Sequence, residues 1–183
     1  MLLLSSCDDR NKTTTLSYYN IDSLLDKQIN LLSESRAAVI KSILLNGKRD
    51  TIVSTRIDST TVANDFEIFR KIFSKETFKI QNASDLKSNL TVRTYLSEID
   101  SSKEERRHKR VQIFFYNTPD NLRKIEISYS EGNLMFNSSK RLTMEFEDIY
   151  NKVTVINYSI SGKQKMTLGD SVNFYIRSDF KII

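Results

Sequence analysis

The chain has 183 residues, of which 39% are hydrophobic, 10% aromatic and 28% charged, with only four glycines and one proline. This is the composition of a globular domain: it excludes wholesale disorder and collagen-like or linker-rich architecture, and a chain of this length can bury roughly 70% of its unfolded surface without a metal or disulfide. A net charge of +5 permits attraction to acidic partners but falls short of the dense basic face of a nucleic-acid binder, and a single cysteine excludes an internal disulfide and any cysteine-rich metal site.

That cysteine stands in the opening stretch "MLLLSSCDDRNKTTT". Leu4-Ser5-Ser6-Cys7 resembles the lipobox of bacterial lipoproteins, an apolar residue and two small residues before an obligatory cysteine. The resemblance implies that a peptidase cuts before Cys7, whose sulfur carries diacylglycerol. The pattern departs from a full signal peptide: no Lys or Arg precedes the apolar run, which spans only Met1 to Leu4. Asp8 to Ser17 is polar, with almost nothing to bury. About ten such residues reach on the order of 17 Å as a coil and about 35 Å extended, enough to hold a domain of roughly 16 Å radius of gyration beside a bilayer. Asp8-Asp9 resembles the acidic export signal of surface lipoproteins in the Bacteroidota. Residues 1–6 are therefore expected to be a signal-peptide remnant, 7–19 a lipidated cysteine and tether, and 20–183 a single domain.

From Asn20, a suitable N-cap, Ile21, Leu24, Leu25, Gln28 and Leu32 fall on one stripe and predict a helix over Ile21 to Ser35. Asn46-Gly47 between two β-prone runs predicts a type I′ hairpin of Val39 to Leu45 and Lys48 to Arg56. After Asp58-Ser59, Val62, Phe66, Phe69 and Phe73 line one face of a second helix ending near Ser74, a face suited to packing on a sheet rather than to holding a cofactor.

Everything beyond Glu76 reads as strands. Apolar residues alternate around Leu90 to Leu96, Val111 to Phe115, Ile125 to Tyr129, Leu142 to Phe146, Val153 to Tyr158 and Val172 to Ile176. Turns are expected at Asn117 to Asn121, Glu131-Gly132, Asp148 to Asn151 and Ser161-Gly162, too short for crossover helices, so neighbouring strands should be antiparallel. The fold class expected is α+β: two N-terminal helices packed on a curved, mainly antiparallel β-meander.

Chemistry is sparse. The one histidine, His108, lies in "KEERRHKR" and reads as a solvated loop residue. No nucleotide loop, esterase elbow or calcium loop appears, and neither a catalytic group, a metal site nor a cofactor is expected. Glu126, Glu145 and Glu147 sit opposite the apolar sets of their strands, as on an ordinary solvated face, although glycosidases do use paired carboxylates. The basic run reads as a solvated hairpin tip. Its Lys103, Arg106, Arg107, Lys109 and Arg110 are candidates for contact with an anionic surface. Pairing the run with Tyr95 and Phe114 as stacking platforms would make a nucleic-acid site, but no nucleic acid is expected as a partner.

In layout the chain resembles small lipoproteins of the Bacteroidota. The resemblance implies a lipid-anchored cell-envelope protein, on the outer membrane and facing the periplasm or the surface, that binds or scaffolds an envelope protein, lipid or glycan without catalysis. The rival reading is a carrier of lipid or another apolar ligand, because helices against a curved antiparallel sheet resemble the half-barrel of lipoprotein-localisation factors. A dry apolar chamber would favour the carrier, and a packed interior the binding module.

Overall fold

The computed structural model describes residues 20–35, 37–73, 78–85, 89–97, 106–167 and 169–182, so Cys7, its tether and Lys103 lie outside the described residues. Helix α1 (Ile21–Glu34) starts at the expected cap, where the Asn20 side chain accepts a hydrogen bond from the Ser23 amide at 3.0 Å. Strands β1 (Ala38–Leu45) and β2 (Lys48–Ser54) follow. Asn46 and Gly47 between them both take positive φ, 47° and 83°, as a type I′ hairpin requires. Helix α2 (Ser59–Phe73) is capped by Asp58, whose carboxylate accepts from the Thr61 hydroxyl and amide and is thereby held below its ordinary pKa.

The remaining strands are β3 (Phe78–Asp85), β4 (Leu90–Ser97), β5 (Arg106–Phe115), β6 (Leu122–Gly132), β7 (Phe136–Ile149), β8 (Lys152–Met166) and β9 (Ser171–Lys181). They join the first hairpin in one nine-stranded antiparallel sheet of order β2-β1-β9-β8-β7-β6-β5-β4-β3. The molecule is thus mostly antiparallel sheet with two helices, and only β3 to β9 form an uninterrupted meander. The N-terminal hairpin closes on the C-terminal strand instead: Ala38 pairs with Lys181 and Leu45 with Phe174. Turn chemistry cannot show this pairing, because it joins residues more than a hundred positions apart.

Two expected turns are corrected. Strand β6 continues through Glu131-Gly132, and β8 runs straight through Ser161-Gly162. At Gly162 glycine serves for close approach: a Cβ there would stand 2.5 Å from Phe174 Cζ and 2.8 Å from the Ser139 carbonyl oxygen. The β7–β8 turn at Tyr150-Asn151 falls within the expected span, with φ of 53° and 61°.

The core lies between the helices and one alternation face of the sheet. Ile21, Leu25, Ile29 and Leu32 of α1 and Val62, Phe66 and Phe69 of α2 join Val111, Ile113, Ile125, Ile127, Leu142, Met144, Tyr158 and Phe180 in one buried cluster. Phe66 meets the rings of Phe69, Tyr158 and Phe180 edge-on, at centroid distances of 6.4, 5.9 and 6.4 Å. The stripe on α2 is therefore a packing face as far as Phe69; the Phe73 side chain lies outside the described residues. Arg70 of α2 reaches Asp22 and Asp26 of α1, tying the two helices together.

Candidate functional site

Strand alternation sorts the sheet into a face toward the helices and a face away from them. Along the helix side, register couples Val111 to Ile127, Ile127 to Leu142, Leu142 to Ile160 and Ile160 to Ile176, all apolar. One pleat further on, the same face carries Lys109, Tyr129, Lys140, Gly162 and Phe174, again direct register partners in turn. Inward positions on four neighbouring strands thus change from aliphatic to polar or vacant at one level.

This second row runs through an open trough of about 780 Å³, whose lining extends from Leu96 and Ser97 on β4 to Phe174 on β9. Five inter-strand spacings make that about 24 Å. The lining includes neither aspartate nor glutamate; by strand alternation Lys109 and Lys140 point into the trough beside Tyr129, while His108, Arg110 and Arg141, with Ser128, Ser130, Ser139 and Ser161, border it from residues that face the other way. Lys140 Nζ stands 5.9 Å from the Tyr129 ring centroid, and the Tyr129 hydroxyl donates to Glu131 at 2.6 Å. The Ser97 hydroxyl accepts from the Lys109 amide at 3.0 Å, fixing the β4–β5 end. Phe174 lies across Gly162, so a flat ring occupies the trough's far end.

The basic run needs correcting in form. Arg106 to Arg110 begin strand β5 and are not a hairpin tip, and Lys109 is only 6% exposed. His108 is exposed, as expected, but sits in a strand rather than a loop. The reason is cross-strand pairing: Arg106 opposes Gly132 and Lys109 opposes Tyr129, so β6 extends β5 well beyond its apolar part. Of the expected anionic-surface contacts, Lys109 points into the trough and Arg110 borders it from the opposite face, while the side chains of Arg106 and Arg107 lie outside the described residues. Lys140, Tyr129 and Phe174 were not singled out in the sequence.

The carboxylates considered for catalysis are engaged in ordinary sheet-face contacts. Glu126 meets Lys124 at 2.9 Å and Arg141 at 3.7 Å, and Glu145 accepts from Asn157 at 2.7 Å. Of the two aromatics considered for base stacking, Tyr95 is buried in the core, and Phe114 carries Lys124 Nζ at 4.6 Å over its ring. No cluster of His, Cys, Asp or Glu able to hold a metal occurs among the described residues.

A second polar group lies under α2. Lys41 of β1 donates to Asp65 at 2.5 Å, and Asp65 in turn stands beside the Tyr158 hydroxyl. Burial, and then the Asp65 carboxylate, push the Tyr158 phenol far above the ordinary tyrosine range. A phenol so held stays a neutral donor at any physiological pH, which suits a latch between helix and sheet rather than an acid or base.

No family model and no solved structure matches the chain.

Proposed function

We propose that the chain is a lipid-anchored protein of the bacterial cell envelope, held at the outer membrane through Cys7 after removal of residues 1–6. Its domain acts as a non-catalytic binding module, and the basic trough is its binding site. The observation that carries this reading is the trough's lining. Two inward-pointing lysines, Lys109 and Lys140, beside the rings of Tyr129 and Phe174 and with no aspartate or glutamate in the lining, suit an anionic, hydroxyl-rich ligand such as an acidic envelope glycan. The carrier reading has less support: if the sheet curves around the helices as a half-barrel, its apolar part is already occupied by Phe66, Phe69, Tyr158 and Phe180.

Titration with a soluble sulfated oligosaccharide, with neutral dextran as the control, tests the trough. Lys140→Gln is expected to weaken binding of the sulfated probe roughly three- to tenfold, with the loss shrinking at high salt, and Arg110→Gln, on the opposite face, to weaken it far less. Equal binding of neutral dextran, or unchanged affinity in Lys140→Gln, would sink the reading.

The anchor is tested separately. Intact mass of the membrane-extracted protein, expressed with its genuine upstream sequence, should show acylated Cys7 as the first residue. Cys7→Ser should release the protein from the membrane fraction without shifting its melting temperature. Each buried CH₂ contributes about 0.8 kcal/mol, so losing the acyl chains removes the anchor outright. A wild-type protein found wholly soluble would overturn this part of the proposal.

A further inference from the structure

The turn between β6 and β7 leaves Leu134 92% exposed and Met135 71% exposed, and Met166 at the end of β8 is 56% exposed. Large apolar side chains so fully in water are costly to leave uncovered, and here they are held in place. The Asn133 side chain accepts from the amides of Met135 and Phe136 at 2.7 and 3.0 Å, which sets the turn. Thr167, just past β8, donates from its amide to the Met135 carbonyl at 3.0 Å and from its hydroxyl to the Leu134 carbonyl at 2.7 Å. Two chain reversals are thereby joined into one tip.

Charge at the tip is mainly positive, with the exposed Asp170 of the β8–β9 reversal as a counter-charge. Lys163 and Lys165 are exposed on β8, and both border a hollow of about 660 Å³ whose wall also includes Leu134 and His108. Glu131 is the one acid in that lining, and its carboxylate accepts the Tyr129 hydroxyl. Apolar side chains at the point of a turn, with lysines set back from them, match the layering of an anionic bilayer, where acyl chains lie beneath phosphates. A protein partner would instead need a broad face, whereas these side chains project from the ends of turns.

We propose that this tip is a bilayer contact: Leu134, Met135 and Met166 enter the boundary between headgroups and acyl chains of an anionic membrane, and Lys163 and Lys165 meet its phosphates. Phe136 to Lys140 is four residue steps along β7, about 14 Å, so a docked tip would hold the trough close to the membrane surface. The contact is independent of what the trough binds, and of the Cys7 anchor, though it would orient a domain so anchored.

Co-sedimentation with vesicles tests it, using the full chain carrying Cys7→Ser so that no acyl chain contributes. The protein is expected to pellet with mixed phosphatidylglycerol and phosphatidylcholine vesicles, and far less with phosphatidylcholine alone. Leu134→Ser combined with Met135→Ser should weaken partitioning roughly tenfold or more. Lys163→Gln with Lys165→Gln should weaken it by about 25-fold at low salt and blunt its salt dependence. Both pairs are exposed, so melting should not shift, and binding of the sulfated oligosaccharide should survive the Leu134 and Met135 changes. The proposal is overturned if the unsubstituted tip ignores anionic vesicles, if the serine variant pellets equally well, or if the serine changes abolish self-association rather than vesicle binding.

Discussion

Phe69→Ala is expected to lower stability by about 3 to 5 kcal/mol and the melting temperature by roughly 6 to 20 °C. Phe69 is 2% exposed, and its ring meets Phe66 at 6.4 Å and Tyr158 at 6.1 Å, both edge-on. Truncation removes the transfer free energy of a whole ring, two edge-to-face contacts and the volume that separates α2 from β8. The neighbours cannot collapse freely, because Phe66 is itself held by Tyr158 and Phe180. A typical domain has only about 5 to 15 kcal/mol of stability in all, so much of the margin would go. Phe69→Leu should cost far less, since it keeps most of the volume and loses mainly the ring contacts. Chemical denaturation of the two variants beside wild type is the check, and a change below about 0.5 kcal/mol for alanine would mean that α2 does not clamp the sheet.

That clamp was legible in the sequence because helix periodicity is a local property: residues three and four apart meet on one face whatever the rest of the chain does. The same holds for the Asn20 cap, for Asn46-Gly47 and for the apolar alternation that located β4 to β9. Strand β3 was not delimited because Gln81, Asn82 and Ala83 lie exposed at the sheet's edge, so alternation there has little to report. The trough was illegible for a related reason. A lysine at an inward position breaks the apolar pattern as effectively as a loop does, so Lys109 reads as part of a solvated tip and Lys140 carries no signal at all. Only register shows that they flank Tyr129 at the same level. Gly162 misled in the opposite sense: glycine is a turn signal when judged locally, but its reason here is a phenylalanine twelve residues away across β8 and β9.

Gln28 is the other position where a polar residue at a core site has a specific purpose. It belongs to the buried stripe of α1, is 1% exposed, and points its amide at the backbone of β8. Its Nε2 donates to the Val153 carbonyl at 2.9 Å, and its Oε1 accepts from the Val155 amide at 2.8 Å. β9 pairs with β8 only from Asn157 onward, so this amide takes the place of a neighbouring strand along the start of β8. Gln28→Leu keeps the volume but strands both backbone groups away from water, at roughly 1 to 3 kcal/mol each, for a total of about 2 to 6 kcal/mol. Gln28→Glu separates the two bonds. A glutamate still accepts from the Val155 amide, but once ionised it has no proton for the Val153 carbonyl, and its charge is buried. Burial raises the folded pKa of such a glutamate above the unfolded value of about 4.3, so the folded state binds the proton more tightly and the Glu variant gains stability, relative to wild type, as pH falls toward that value. The leucine variant should show no such recovery. Parallel denaturation curves at neutral pH and near pH 4, with amide exchange at Val155 as the local readout, would decide it; a Glu variant whose deficit stays constant with pH would show that packing, not the paired amide, is what Gln28 contributes.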